Sequence, residues 1–371
     1  MENKLNDVRV DALVKDIDVD TFGFLNLSGR KAMYSRGIYG QGVVVAVIDS
    51  GVSPHPEFEN RLLEGKNCIR TYGNKSWHDD NKHGTHVAGT IAGKTCGIAP
   101  KAEILPVKVL NAMGRGNWTD IIAGIDYART WRQNGKRVKI ISMSLSGSAS
   151  QTKPSERTAL EAAIKKCVDE DILVVCSMGN TRKDEVRYPA SFDDVVAVGA
   201  VDWDKKIAQY STFGNHVDVC QIGTGVISAY YDRSQGYDYI ELSGTSMSTP
   251  IISGIAALLV CDHQARFKTE ISERKLYEAL KMNTKDLGIQ GVDKYYGAGF
   301  CTLQPLNLTI ETENNSDLVK FNGEVVKLDV PVQIIKDRTM FPIREFAERT
   351  GAKVSWEMPT STHGTRARFE W

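Results

Sequence analysis

Short apolar runs recur along the first 300 residues and alternate with stretches of helical spacing. Val43-Val-Val-Ala-Val-Ile48, Ile104-Leu-Pro-Val-Lys-Val-Leu110, Val138-Lys-Ile-Ile-Ser-Met-Ser-Leu145, Ile172-Leu-Val-Val-Cys-Ser-Met178 and Val195-Val-Ala-Val-Gly-Ala-Val201 are β-branched and apolar enough to be strands buried on both faces. Between them the periodicity predicts helices from about Thr119 to Arg132 and from Ser155 to Glu170, with a last amphipathic helix from Ser272 to Met282. That alternation implies an α/β fold, a parallel sheet with helices on both faces. Asp49, Ser144 and Asn180 fall at the C-terminal ends of three of these runs, on one rim of the sheet, where functional groups collect in open α/β folds.

The chain is organised around Leu242–Val260. Its second half, Ile-Ile-Ser-Gly-Ile-Ala-Ala-Leu-Leu-Val, is apolar all round, so as a helix it belongs in the core. Its first half, Ser-Gly-Thr-Ser-Met-Ser-Thr-Pro250, is small and polar, with a proline near the helix start where a missing N–H costs little. Ser246 there sits among unpaired backbone N–H groups at the positive end of the helix dipole. It is a nucleophile, or else Thr245 or Ser246 merely caps a core helix. His83-Gly-Thr-His86-Val-Ala-Gly-Thr-Ile-Ala-Gly93 reads as a close-packed helix of small residues. Its two histidines are open to a metal, base or structural reading, although no glutamate completes the His-Glu-x-x-His pattern. Asp49 is a turn former or a working carboxylate on equal terms.

Composition narrows the function without deciding it. Lys plus Arg and Asp plus Glu both number 46, which gives no argument for nucleic acid or an anionic membrane. No apolar run reaches the ~18 residues expected of a transmembrane segment. The N-terminus lacks the apolar centre of a secretory signal. Seven scattered cysteines without Cys-x-x-Cys spacing point to free thiols in a reducing compartment.

Taken together, Asp49, His83 and Ser246 are the parts of a charge-stabilised nucleophile. The imidazole removes the serine proton and the carboxylate fixes the imidazole. Asn180 is the candidate side-chain donor to an oxyanion beside the Ser246 N–H.

At these residues the sequence resembles the subtilisin-like serine proteases. The matches are Val-Ile-Asp49-Ser-Gly, His83-Gly-Thr-His-Val-Ala-Gly-Thr, Val-Lys-Val-Leu110, Ser-Met-Ser-Leu145, Gly179-Asn180, Tyr188-Pro189-Ala190 and Gly-Thr-Ser246-Met-Ser-Thr-Pro250, spanning about residues 35–305. The resemblance implies a three-layer subtilisin-like α/β fold and a serine endopeptidase acting through an acyl-enzyme, without a catalytic cofactor. Its catalytic residues would be Asp49, His83, Ser246 and Asn180, with His86 structural. It also implies that Gly114-Arg115-Gly116 and Ser144-Leu145-Ser146 flank an extended polypeptide substrate held as an added β-strand. Ser177 and Gly179 would line the pocket for the residue before the scissile bond, and Trp118 and Ile121 a more distant apolar subsite or simply core. A catalytically silent scaffold that binds or assembles other proteins is the alternative.

The family often has glycine where Ser146 stands. The helix after His83 runs straight into Thr95–Pro100, so one calcium-binding insertion is absent. A second calcium site, built from carbonyls near Asp193 and Val195 and the Asp218 carboxylate, is implied by the resemblance. The absence of a recognisable signal or folded propeptide before residue 40 resembles the intracellular members, whose short N-terminal segment blocks the cleft. Cytoplasmic localisation is expected. The resulting divisions are an N-terminal arm at 1–25, a peptidase domain at 26–310, a polar linker at 311–317 and a small α+β domain at 318–371. The last, with Phe321-Asn-Gly, Asp337–Arg344 and Gly351–Trp356, resembles the copper amine oxidase N-terminal domain. That implies a docking partner and raises release or cell-surface association as the alternative localisation; His363 is its single histidine, so no metal is assigned.

Overall fold

In the computed structural model the described residues are 22–303 without 72, 74 and 235, the backbone of strands at 3–4 and 9–14, and seven further strands between 308 and 370. Across the main sheet the strands follow the order Thr284–Lys285, Phe300–Cys301, Val219–Ile222, Val196–Val201, Leu173–Ser177, Lys136–Met143, Val44–Asp49, Glu103–Lys108 and Lys66–Asn67. Every neighbouring pair is parallel except the first. The apolar runs therefore form the buried centre that their lack of alternation requires.

Successive side chains of a strand face opposite sides of its sheet, and Val44–Ile48 shows what that does here. Val45 and Val47 join one apolar layer, with Ile91 of the helix His83–Ala92 and Ile251 and Ile255 of the helix Thr245–Phe267. Val44, Ala46 and Ile48 join the other, with Ile121 and Ile125 of the helix Trp118–Thr130 and Leu160 and Ile164 of the helix Pro154–Asp169. Three layers result, with Asp49 emerging from the middle one.

Thr245–Phe267 is long and apolar enough to cross a membrane by length and composition, contrary to the reading of its runs. Its most apolar window is 94% buried inside the protein, as a central core helix requires.

The first compact unit closes at Leu303. The second carries an antiparallel sheet in the order Glu324–Lys327, Leu318–Phe321, Leu308–Thr312, Arg366–Glu370 and Lys353–Glu357, plus a hairpin of Gln333–Ile335 with Arg338–Met340. Glu311 and Thr312, expected in a linker, are thus in a strand. The β-branched Thr309 and Ile310 start it, and polarity at one end does not stop a strand. The expected helix at 345–350 lies outside the described residues.

Candidate active site

Asp49 ends its strand with no exposed surface. Its Oδ1 accepts the Ser50 N–H at 2.6 Å and lies 2.8 Å from His83 Nδ1. Two glycines permit this approach. Gly51 has φ +103°, and a methyl group on it would lie 2.3 Å from the Trp77 carbonyl oxygen. A methyl group on Gly84 would lie 2.0 Å from the Gly51 oxygen and 3.2 Å from Asp49 Cβ. The helix bearing His83 can therefore dock on the strand end only because neither position has a side chain.

His83 is 5% exposed. Burial pushes its pKa down, but the charge and hydrogen bond of Asp49, with the charge of Asp79, outweigh this and hold it above the ordinary imidazole value. Nδ1 donates to Asp49, which fixes the neutral tautomer with Nε2 as acceptor; Nε2 is buried without a hydrogen-bond partner. His86, three residues on, is a different case. Its Nε2 lies 3.0 Å from the Val226 carbonyl and 3.2 Å from that of Ile240, and burial lowers its pKa to about 3. It is a neutral tie between its helix and the antiparallel strands Val226–Asp232 and Gly236–Ser243.

Ser246 opens its helix at 2% exposure. Its hydroxyl donates to the Ser144 carbonyl at 3.2 Å, so its bond in this structure is to the neighbouring strand end and not to His83. Ser144 Oγ in turn donates to the Ser246 carbonyl at 2.8 Å. Asn180 Oδ1 accepts from Thr245 N–H at 2.9 Å and Thr245 Oγ1 at 3.0 Å, and Thr245 Oγ1 accepts from Gly179 N–H at 3.0 Å. These bonds turn the Asn180 oxygen toward Thr245 and its NH2 group away.

Three supporting residues were given no role at the site by the sequence. Asp79 accepts from the N–H groups of Lys82 at 2.8 Å and Thr85 at 2.8 Å, capping the His83 helix, and from Ser50 Oγ at 2.8 Å. Ser50 Oγ receives the Gly84 N–H at 3.0 Å. Lys108, fully buried, donates to the Ser50 carbonyl at 2.6 Å and pairs with Asp80. Thr245, adjoining Ser246, is the third. In a loop, Asp79 and Asp80 have no periodicity to mark them; Lys108 is signalled only by a charge inside an apolar run.

A family model described as the subtilase family matches residues 40–299, and one described as the copper amine oxidase N-terminal domain matches residues 295–364. The chain belongs to the subtilase family. It is a serine endopeptidase. Its relatives include the major intracellular serine protease of Bacillus subtilis (strain 168), 35% identical over 301 residues, 77% of this chain and 89% of that one. The intracellular serine protease of Paenibacillus polymyxa is 38% identical over 262 residues, 67% of this chain and 76% of its own. The thermostable alkaline protease of Halalkalibacterium halodurans is 38% identical over 246 residues, covering 65% and 63%.

Within this subtilase the remaining expected residues take varied places. Ser144, Leu145 and Ser146 continue the strand Lys136–Met143, while Ser177 ends the parallel strand Leu173–Ser177 beside it and Gly179 lies two residues beyond, so the two segments leave the sheet together. Arg115–Gly116 is a short strand after the turn at Gly114, whose φ is +68°. It pairs antiparallel with Asn3–Lys4, in register Asn3 to Gly116 and Lys4 to Arg115. Trp118 is 2% exposed and Ile121 fully buried, both in the apolar layer. Both pack as core here, and Gly147 approaches Trp118 so closely that a methyl group on it would lie 2.5 Å from Trp118 Cζ2.

Asp218 is already occupied by protein donors. Its Oδ2 accepts the Ala197 N–H at 2.9 Å, while Oδ1 receives the Tyr277 hydroxyl and lies 3.6 Å from Lys281 Nζ. An ammonium beside it and bonds on both oxygens do not fit a calcium ligand. Among the described residues no cluster of three metal-binding side chains exists. All seven cysteines are free and buried, and burial raises the thiols of Cys68 to about 11 and of Cys167 and Cys301 to about 12. None offers a thiolate nucleophile near neutral pH.

Proposed function

We propose that Asp49, His83 and Ser246 act as the triad of this endopeptidase, with Asn180 as oxyanion donor. Ser246 Oγ attacks the scissile carbonyl and passes its proton to His83 Nε2. Asp49 holds the Nδ1–H and stabilises the imidazolium. The Ser246 N–H and the Asn180 amide receive the oxyanion. His83 then protonates the leaving amine, and water, deprotonated by the same Nε2, hydrolyses the acyl-enzyme. The supporting observation is the 2.8 Å Asp49–His83 contact, which leaves Nε2 as the buried, unpartnered acceptor. Rotation of the Ser246 hydroxyl away from Ser144 is the rearrangement this reading needs; catalytic hydrogen bonds are often loose without substrate.

A fluorophosphonate should label the native protein at one serine and leave Ser246→Ala unlabelled. If protein lacking residues 1–14 also stays unlabelled, the assignment of Ser246 as nucleophile falls, and the Ser246–Ser144 bond is the observation that would stand against it.

The N-terminal arm fits an inhibitory role. Asn3–Lys4 occupies the Arg115–Gly116 edge assigned above to extended substrate, and Arg9–Val14 pairs antiparallel with the strand leading into Ser246, with Leu242 opposite Val10. Deleting residues 1–14 should raise kcat/KM; unchanged hydrolysis would remove this role. Seven free thiols, and relatives named intracellular, support action in the cytoplasm. For the C-terminal unit the reading is docking, supported by its family match and by a histidine count too low for a metal ligand set.

A further inference from the structure

Arg187 was not singled out by its sequence context, yet it closes the far end of the wall that begins beside Ser246. Its Nε donates to Ser146 Oγ at 3.1 Å, its Nη2 to the Ser146 carbonyl at 3.3 Å and its Nη1 to Glu185 Oε1 at 2.8 Å. The side chain is only 12% exposed. A methyl group on Gly179 would lie 2.5 Å from Arg187 Nε and 2.8 Å from Ser146 Oγ. The arginine therefore reaches across from one wall, at Gly179, to the other, at Ser146. Pairing of Arg187 with Ser148 and of Tyr188 with Gly147 fixes the segment that carries it.

The chemistry of this enclosure is uneven. Ser144, Leu145, Ser146, Ser177 and Gly179 are all uncharged, and a guanidinium stands at their end. A guanidinium has five N–H donors in a planar fork, of which three are taken by Ser146 and Glu185.

We propose that Arg187 makes this a pocket for an acidic residue immediately before the scissile bond. The proposal rests on the peptidase reading above and names its substrate class. A carboxylate entering between the walls meets the remaining N–H donors in charge-assisted bonds. An apolar side chain leaves those donors dry and unpaired, and a basic one brings like charges together. Glu185 neutralises the arginine from the Nη1 side, so it moderates the preference and keeps the empty pocket from holding a lone buried cation.

The test is competition within one tube. Peptides identical except for Glu, Gln, Leu or Lys before the scissile bond are mixed with the full-length protein and followed by mass spectrometry. Their relative rates give kcat/KM ratios that do not depend on how much enzyme is unblocked. Glu should exceed Gln and Leu by at least about tenfold and Lys by more. Arg187→Gln should erase the Glu advantage, and Glu185→Gln should enlarge it. Should Arg187→Gln fail to fold, the wild-type ranking and Glu185→Gln still decide. If Leu or Lys peptides are cut as fast as Glu while Ser246 takes the fluorophosphonate, the role of Arg187 is overturned and the peptidase reading stands. If the protein neither cuts nor labels even after residues 1–14 are deleted, both fall.

Discussion

Ser144 and Ser246 hold each other twice: the Ser144 carbonyl accepts the Ser246 hydroxyl at 3.2 Å, and the Ser144 hydroxyl donates to the Ser246 carbonyl at 2.8 Å. The strand end and the helix start are thus locked at the point where chemistry is assigned. Ser144→Ala keeps the first bond and loses the second, leaving a buried carbonyl without that donor. Stability should fall by about 1–2 kcal/mol, read as a lower midpoint in urea. kcat should fall several-fold with KM little changed.

Asp49→Asn preserves the shape of the strand end but removes the charge that stabilises imidazolium and favours the wrong tautomer of His83. kcat should drop by about 10⁴-fold while fluorescence and circular dichroism stay native. Stopped assays with a peptide ester would show it; retention of more than a tenth of the activity would mean that another group orients His83.

The pH profile follows from the two carboxylates near His83. Burial works against its charge, but Asp49 and Asp79 hold its pKa above 6.5. A base must be neutral to act, so the acid limb of kcat/KM should lie above pH 6.5. Asp79→Asn removes one of the charges and should move that limb to lower pH, an effect that loss of the helix cap alone would not produce. The same raised pKa contributes stability that is fully present below the unfolded value of about 6.5 and is lost as pH rises through the folded value.

Asn180 depends on Thr245 for its orientation. Asn180→Ala should reduce kcat by about 10²–10³-fold, the usual loss for one oxyanion donor. Thr245→Val keeps the backbone bond to Asn180 but loses the hydroxyl one, and should lose a smaller factor, about tenfold, in kcat with KM unchanged.

Glu273, at the start of its helix, is raised to about 7 by burial and by the charges of Asp194 and Asp171. Because its folded pKa exceeds the unfolded one, the folded state binds more protons between about pH 4.5 and 7, and stability falls as pH rises through that window. Glu273→Gln should therefore raise the melting temperature by a few degrees above pH 7, and have almost no effect at pH 4, by calorimetry.

The rim residues Asp49, Ser144 and Asn180 were legible because unbroken apolar runs reveal where strands end, and His83 and Ser246 because small residues marked their helices. Asp79 and Arg187 were not, and Thr245 was legible only as a helix cap, since their roles come from contacts that periodicity does not encode: Arg187 meets Ser146 across 41 positions. The boundary of the C-terminal unit was misplaced for a related reason. Glu311 and Thr312 have the polarity of a linker, but hydrogen bonding to Lys320 and Val319 on one side recruits them into a sheet.

Val44–Asp49 lends alternate side chains to two separate apolar layers and ends on the carboxylate. A void opened in either layer therefore has a direct mechanical line to the same oxygen. Truncations at Ile91 and at Ile125, on opposite sides of the molecule and remote from substrate, should share one symptom, a drop in turnover while most of the population is still folded.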